Sequence, residues 1–283
     1  MRMLTFLQAA ILGILQGVTE LFPVSSLGHA VLLPHVLGWQ LDEASSSFLA
    51  FVVAIHLATA LVLLAFYWRE WVNIVVGVLR SLYRRQVAGD TYAKLGWLLV
   101  VGTIPAGALG LLLQTKLQNL FGSGILVALA LVGNGIVLFG AEALRKRAPE
   151  GTAQDEALAD LSFPQAFFIG TAQALALIPG FSRTGAAMTG GLLSGLSHAN
   201  AARFAFLLAT PIILAAAVLK VPGLLHAESG ILGAALVGAI CAAVAAYISV
   251  RFLTNYFKTR TLRPFAVYCL VAGLFALVFV LLF

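Results

Sequence analysis

LFPVSSLGH, residues 21–29, interrupts an apolar segment that runs from residue 4 to residue 38. The stretch contains a proline, two adjacent serines, a glycine and a histidine, and Glu20 stands directly before it. A broken helix is tolerated in a membrane where protein or water surrounds the freed backbone groups, and each half of this segment is too short to span a bilayer. The segment therefore predicts a re-entrant hairpin, in which a helix enters, breaks and returns.

The composition of the whole chain places this segment in a membrane. Of the 283 residues, 61% are hydrophobic and only 10% are charged, whereas soluble domains carry roughly a quarter charged residues. The 17 basic residues outnumber the 11 acidic ones, an excess typical of cytoplasmic loops, and no nucleic-acid partner is expected. Cys241 and Cys269 lie in apolar runs and form no redox or zinc motif. The chain is predicted to be an all-α polytopic membrane protein.

Six uninterrupted apolar segments are long enough to cross roughly 30 Å of hydrocarbon as helices. They cover residues 48–68, 95–113, 124–144, 201–221, 231–253 and 265–283. A second broken segment, 164–196, has the polar centre PGFSRTG at 179–185 and predicts a second re-entrant hairpin. The expected fold is a single integral membrane domain, 1–283, with about six transmembrane helices and two re-entrant helical hairpins.

The basic residues orient the chain, because lysine and arginine concentrate in cytoplasmic loops. Three connecting segments rich in them are predicted to be cytoplasmic: 69–94, 145–163 and 251–264. Three with at most one basic residue are predicted to be external: 39–47, 114–123 and 222–230. Along this path the first hairpin opens to the external side, the second opens to the cytoplasm, and both termini are external.

The same path divides the chain into two halves of opposite orientation, 1–144 and 164–283, joined by the cytoplasmic loop 145–163. Residues around the two breaks match at offsets of 156 or 157 positions: Pro23 with Pro179, Ser26 with Ser182, Gly13 with Gly170, Gln16 with Gln173, and Gly28 with Gly185. Inverted repeats with broken helices place a polar site near mid-membrane, where the breaks meet. The pattern therefore predicts one composite site.

The two breaks supply complementary chemistry. The first offers Gln16, Glu20, Ser25, Ser26 and His29, and the second offers Gly180, Ser182, Arg183, Thr184 and Gly185. An unpaired arginine between apolar helices costs at least roughly 2.5 kcal/mol, so Arg183 requires an anion. Glu20 is one candidate, but a phosphate matches a guanidinium better, and a helix starting near Thr184 would point its positive end at the same place. With the hydroxyl groups, this predicts a phosphate site suited to phosphoryl transfer.

These motifs resemble those of the bacterial undecaprenyl-pyrophosphate phosphatase family. The resemblance runs nearly end to end and includes ELFPVSS at 20–26 followed by Gly28-His29, PGFSRTG at 179–185, and FAFLLATP at 204–211. It implies hydrolysis of the lipid pyrophosphate to the monophosphate carrier of cell-wall synthesis, at an externally facing site in the bacterial inner membrane. It also implies the inverted-repeat fold, a divalent cation, and resistance to bacitracin, which acts on the substrate.

The resemblance assigns the catalytic positions to Glu20, Ser26, His29 and Arg183. Arg183 is predicted to bind the pyrophosphate, and either Ser26 or His29 to attack the terminal phosphorus. Glu20 orients or deprotonates that nucleophile, or binds Mg²⁺ (Ca²⁺ is the other candidate) with help from Gln16, the ion arriving with the substrate. The expected substrate-binding residues are Gln16, Ser25, Gly180, Ser182 and Thr184. Leu27 departs from the family pattern, in which a small hydroxyl-bearing or other small residue is commoner there.

Other functions and simpler roles stay open. A flippase for polyprenyl phosphate would also have inverted repeats and an anion-binding arginine, although it needs no Glu, Ser and His set. A type-2 phosphatidic-acid phosphatase would place a histidine soon after Arg183, and His198 comes too late. Gln16 and Gln173 suit bonds between helices, and His56 suits packing or support of a catalytic residue. The expected partners are a polyprenyl pyrophosphate, membrane lipid and a second copy in a homodimer.

Overall fold

The computed structural model describes residues 4–39, 41, 45–118, 123–145, 155–224 and 229–282. Within these ranges the chain is helical, and no strand occurs. Parts of the predicted loops 39–47, 114–123, 145–163 and 222–230 lie outside the described residues, as do both terminal residues.

Twelve α-helices follow one another along the described ranges. They are α1 Phe6–Thr19, α2 Ser26–Val36, α3 Ser46–Phe66, α4 Trp68–Arg84, α5 Thr91–Gln118, α6 Gly124–Leu144, α7 Asp155–Ala159, α8 Phe163–Gln173, α9 Arg183–Leu193, α10 His198–Leu224, α11 Ser229–Tyr256 and α12 Arg263–Leu282. A 3₁₀ turn, Ala174–Leu177, extends α8. Six helices, namely α3, α5, α6, α10, α11 and α12, are long and apolar enough to cross a membrane. The predicted all-α polytopic fold with six spans is therefore confirmed, and the chain is a multi-pass membrane protein.

The prediction of a loop over 69–94 is wrong for most of its length, because α4 occupies residues 68–84. Apolar side chains recur there every three or four positions and share one exposed face: Trp68, Val72, Val75, Val76, Leu79 and Leu82. The arginines of this segment lie between them and interrupt the apolar run. An amphipathic helix has this 3.6-residue period, which a search for continuous apolar runs does not detect.

The turn between α4 and α5 is held by Asp90. Its Oδ1 accepts the backbone N–H of Ala93 at 3.0 Å, which caps the start of α5, and its Oδ2 pairs with Arg80 at 2.9 Å. The Ala93 N–H bond and the nearby Arg80 charge hold the pKa of the Asp90 carboxyl below its usual range. This turn therefore packs the start of α5 against α4.

The two broken segments are built alike. Thr5 and Gln8 form a capping box at the start of α1, and Ser162 and Gln165 form one at the start of α8. The breaks lie at residues 20–25 and 178–182, after which α2 and α9 begin. Both interruptions fall where the sequence predicts them, while re-entry of these segments into the membrane stays a prediction.

The first helix of each broken segment packs against a long helix from the other half of the chain. α1 crosses α11 where Gly13 faces the backbone carbonyl of Gly238, and α8 crosses α5 where Gly170 faces the carbonyl of Gly102. A Cβ atom at Gly13 or Gly170 would clash with that carbonyl oxygen, so both crossings require glycine. An inverted repeat would produce such a matched pair of crossings; the repeat itself stays a prediction.

Candidate active site

The two breaks, 156 residues apart in sequence, touch each other. A Cβ atom on Gly28 would lie 3.1 Å from the Cα atom of Gly180, which has a φ of +105° that only glycine adopts easily. Thr184 Oγ1 donates to the backbone carbonyl of Glu20 at 2.9 Å. The structure therefore brings the residues of the first and second breaks into one site.

Asn134, in the middle of α6, links the breaks through its side-chain amide. Its Nδ2 donates to the backbone carbonyl of Pro23 at 3.0 Å, and its Oδ1 accepts the backbone N–H of Ser182 at 3.0 Å. The side chain is buried. Because a broken helix leaves backbone groups without partners in a medium that cannot supply them, Asn134 satisfies one such group in each break.

The N-termini of α2 and α9 converge on the site. Ser25 Oγ accepts the Gly28 N–H at 3.2 Å, and Ser182 Oγ accepts the Gly185 N–H at 3.1 Å, so each serine caps its helix. Ser25 does so with a φ of +72°, a strained value for any residue except glycine. Because helix N-termini carry partial positive charge and free N–H groups, two of them together favour a bound anion.

Glu20 makes most of the side-chain contacts in the site. Its Oε2 accepts hydrogen bonds from Ser26 Oγ at 2.5 Å and from Gln16 Nε2 at 3.1 Å. Arg183 Nη1 lies 3.6 Å from Oε1, and His56 Nε2 lies 3.6 Å from Oε2. The Glu20 side chain is almost fully buried, so these donors and the Arg183 charge offset the cost of removing a carboxylate from water.

Arg183 keeps hydrogen-bonding capacity for a second anion. Its Nη1 is buried and has no hydrogen-bond partner among the described residues, and 3.6 Å to Glu20 is too long for a hydrogen bond. The side chain as a whole is 24% exposed. Arg183 therefore lies close to Glu20 at the N-terminus of α9 with one donor still available, and its binding of a phosphate group stays a prediction.

The oxygen atoms beside Glu20 can contribute to a divalent cation site. Gln16 Oε1 is buried and has no partner in the part of the chain that the structure describes. With the Glu20 carboxylate, it gives the hard oxygen ligands that Mg²⁺ prefers. The described ranges contain no group of three or more His, Cys, Asp or Glu side chains arranged to hold a metal ion. The donor set fits an ion that takes its remaining ligands from substrate phosphates and water.

His29, on α2, is held by a backbone carbonyl and by α12. Its Nδ1 lies 2.7 Å from the carbonyl oxygen of Ser25, and its Nε2 lies 2.7 Å from the Tyr268 hydroxyl, whose ring stacks on the imidazole at 5.6 Å. Because a carbonyl oxygen only accepts, we assign the proton to Nδ1, and Nε2 of the neutral ring accepts from Tyr268. The orientation of the ring is therefore fixed on both sides.

Two of the predicted phosphate ligands donate to the first break in this arrangement. Ser182 Oγ donates to the carbonyl of Phe22 at 3.5 Å, and Thr184 Oγ1 donates to that of Glu20. Both hydroxyl groups therefore help to join the breaks. The predicted contacts of Ser182, Thr184, Ser25 and Gly180 with a phosphate stay predictions.

Comparison with known protein families covers nearly the whole chain. The family described as "Bacitracin resistance protein BacA" matches residues 9–275. The chain belongs to this family. An undecaprenyl-diphosphatase of Mycolicibacterium paratuberculosis is 47% identical over 292 residues, which cover 95% of this chain and 95% of the relative.

Two further relatives match over a similar share of the chain. An undecaprenyl-diphosphatase 2 of Chromobacterium violaceum is 46% identical over 282 residues, covering 96% of this chain and 98% of the relative. An undecaprenyl-diphosphatase of Acidiphilium cryptum is 45% identical over 285 residues, covering 98% and 99%. The family resemblance predicted from the two motifs is confirmed.

Three side chains of this BacA-family site lie outside both motifs: His56, Asn134 and Tyr268. His56 and Asn134 are polar residues inside apolar spans, where lipid disfavours them, and that position is the sequence signal for both. His56 was expected to pack or to support a catalytic residue, and it lies beside Glu20. Tyr268 has no comparable signal, since a half-exposed tyrosine on a membrane helix is ordinary.

Proposed function

We propose that the chain hydrolyses undecaprenyl pyrophosphate to undecaprenyl phosphate and inorganic phosphate, and so recycles the lipid carrier of cell-wall synthesis. The observation that carries this proposal is Arg183 Nη1 at the N-terminus of α9, which has no hydrogen-bond partner among the described residues, next to the hydrogen-bonded Glu20 and Ser26. An anion site, a base and a hydroxyl group thus lie together in a membrane protein. The BacA-family relatives are named undecaprenyl-diphosphatases, which supports hydrolysis over lipid transport.

In the proposed mechanism, Ser26 is the nucleophile and Glu20 is its general base. As the proton of Ser26 passes to Glu20, Oγ forms a bond to the terminal phosphorus, the bond from that phosphorus to the bridging oxygen breaks, and undecaprenyl phosphate leaves. Water then cleaves the phosphoserine and releases inorganic phosphate. Ser26 is preferred because its hydroxyl already donates to a carboxylate, whereas Nε2 of His29 is bonded to Tyr268. His29 is the alternative nucleophile; when Ser26 attacks, His29, positioned by Tyr268, is the general acid–base of the water step.

Charge stabilisation supplies much of the proposed rate acceleration. Arg183 and the N-termini of α2 and α9 face the negative charge on the pyrophosphate oxygens. Glu20, with Gln16 Oε1, which has no partner among the described residues, would hold Mg²⁺, or alternatively Ca²⁺, arriving with the substrate. Such an ion would supply positive charge beside the phosphate oxygens.

The proposed placement is in the bacterial inner membrane, with the site open to the external side and both termini external. The distribution of lysine and arginine among the connecting segments supports this orientation. The inverted repeat, with halves 1–144 and 164–283, and the two re-entrant hairpins belong to the same proposal, which the matched glycine crossings support. The polyprenyl tail of the substrate lies between helices and contacts bilayer lipid. Bacitracin acts on the substrate. The candidate assembly is a homodimer.

The Tyr268→Phe variant tests the positioning of His29. It removes the hydrogen bond to Nε2 and keeps the stacked ring, so we expect kcat for phosphate release to fall about tenfold, the equivalent of one hydrogen bond of roughly 1.4 kcal/mol, with unchanged thermal stability. Tyr247→Phe, at a half-exposed tyrosine on α11, is the matched control. Equal rates for the two variants would show that the Tyr268 hydroxyl does not position His29.

Hydrolysis and transport are separated by two assays on the same proteoliposomes. One measures phosphate released from undecaprenyl pyrophosphate, and the other follows labelled undecaprenyl phosphate from one leaflet to the other. We expect protein-dependent phosphate release that Glu20→Gln removes. Lipid movement without phosphate release would instead support the flippase.

A further inference from the structure

Helix α4 has three distinct faces. One packs on α5 through Ile74, Gly77 and Ser81. A second is apolar and has no partner among the described residues, and its exposed members include Val72, Val75, Leu79 and Leu82. The third is basic and carries Arg69, Arg80 and Arg84. An amphipathic helix with an open apolar face and arginines beside it is typical of the boundary between lipid tails and headgroups.

A groove opens between α4 and α5 and reaches Pro211 of α10. Its volume is about 630 Å³. Apolar side chains dominate its lining, among them Val75, Leu79, Leu99, Val100 and Ile104. Thr103 also lines it, but its hydroxyl donates to the backbone carbonyl of Leu99 at 2.7 Å and is already satisfied. The groove therefore suits a hydrocarbon chain.

The length of the groove matches one leaflet of a bilayer. Its lining follows α5 from Gly96 to Ala108, which is about 18 Å at the helical rise of 1.5 Å per residue. Half of a hydrocarbon core is about 15 Å thick. A lipid chain from a single leaflet would therefore fill it.

Two exposed arginines without an ion pair among the described residues lie beyond the end of the groove next to the α4–α5 turn. Leu79 lines the groove, and Arg84 follows about 7.5 Å further along α4. Arg80 pairs with Asp90, whereas Arg84 and Arg85 are exposed and form no ion pair within the described ranges. A lipid phosphate just beyond this end of the groove would lie near two cations at the C-terminal end of α4.

We propose that the α4–α5 groove binds an anionic phospholipid, with one acyl chain in the groove and the phosphate on Arg84 and Arg85. This lipid is separate from the substrate, because residues of α4 and α5 line the groove, whereas the site with Glu20 and Arg183 lies at the two breaks. In the topology proposed above, the arginines face the cytoplasmic leaflet. The bound lipid also stabilises the fold, since it holds α4, which is tied to α10 by the Glu70–Arg203 ion pair at 2.8 Å.

Native mass spectrometry of the purified full chain with phosphatidylglycerol, phosphatidylcholine or undecaprenyl phosphate tests this site. We expect the wild type to retain phosphatidylglycerol in preference to phosphatidylcholine. Arg84→Ala combined with Arg85→Ala is expected to weaken phosphatidylglycerol binding by about 25-fold, roughly fivefold for each charge. Gly107→Leu is expected to weaken it as well by filling the groove, because a side chain there meets open space and does not disturb the fold.

Matched variants distinguish this site from general effects. Gly140→Leu, on α6, also adds a side chain in open space, and Arg251→Ala with Arg263→Ala removes two exposed arginines elsewhere. Both control proteins should bind phosphatidylglycerol like the wild type. Equal losses in the test and control proteins, or equal binding of the two phospholipids, would overturn the proposal. Two results for Gly107→Leu would also overturn the proposal. If the variant lost only its binding of undecaprenyl phosphate, the groove would hold the polyprenyl tail. If it lost only its ability to dimerise, the groove would contact a second copy of the chain.

Discussion

Arg183→Ala lowers kcat for phosphate release from undecaprenyl pyrophosphate by about a thousandfold or more. Nη1 is a buried donor without a hydrogen-bond partner among the described residues, and it lies where two helix N-termini converge. An arginine that stabilises a transferring phosphoryl group is worth roughly 10³–10⁵ in rate. Steady-state phosphate release by the purified variant, with thermal unfolding followed in the same detergent, measures the loss.

Arg183→Lys separates charge from geometry. A lysine keeps the positive charge but loses the planar set of donors, so we expect it to recover only part of the lost rate. Arg251→Ala, at an exposed arginine of α11, controls for loss of one positive charge and should keep the wild-type rate. An Arg183→Ala protein that folds and retains more than a tenth of the wild-type rate would contradict the assigned role.

Asn134→Leu lowers both stability and activity, because it removes the only side chain described as bonding to both breaks. The substitution keeps the approximate size and leaves the Ser182 N–H buried without this partner, while the Pro23 carbonyl keeps only the weak thiol donor of Cys269 at 3.8 Å. The unsatisfied N–H costs about 1–3 kcal/mol and the weakened carbonyl less, so we expect the free energy of unfolding to fall by about 1–4 kcal/mol and Tm by roughly 3–12 °C. The rate of phosphate release should fall at least about tenfold, since the breaks lose their fixed spacing.

Gln173→Leu is the matched control for Asn134→Leu. Gln173 is also a buried amide, but neither atom of its side-chain amide has a hydrogen-bond partner among the described residues. Its replacement by leucine therefore breaks no bond that the structure describes, and we expect Tm to stay the same or rise. If both variants lost the same stability, the cost would come from altered packing and not from the bonds to the breaks.

The sequence predicts the membrane helices well because lipid imposes length and composition directly. The predicted span 124–144 coincides with α6, and the other five spans differ from their helices only at the ends. α4 is not predicted from the sequence because arginines interrupt its apolar run, although its apolar side chains repeat with the period of a helix. The start of α5 is also earlier than the predicted residue 95, since Asp90 caps the helix and Thr91 and Lys94 interrupt the apolar run in its first turn.

The part of the site that lies in the two sequence motifs can be predicted from the sequence. Proline, glycine and serine mark both breaks, and Glu20 and Arg183 are costly charges that need partners in a membrane. The roles of Asn134 and Tyr268 depend on contacts between residues more than 100 positions apart, which spacing in one sequence does not encode. The sequence also does not show which acceptor the Ser182 and Thr184 hydroxyl groups bond. A hydroxyl group can donate equally well to a phosphate and to a backbone carbonyl.

The central claim is that residues from the two breaks act as one catalytic unit. A double-mutant cycle on phosphate release, with Glu20→Gln, Arg183→Ala and both together, tests it most directly. Residues that act as a unit are strongly non-additive, so we predict that the double variant is about as slow as the slower single variant. Losses that multiply, or a single variant that releases phosphate at the wild-type rate, would contradict a composite site.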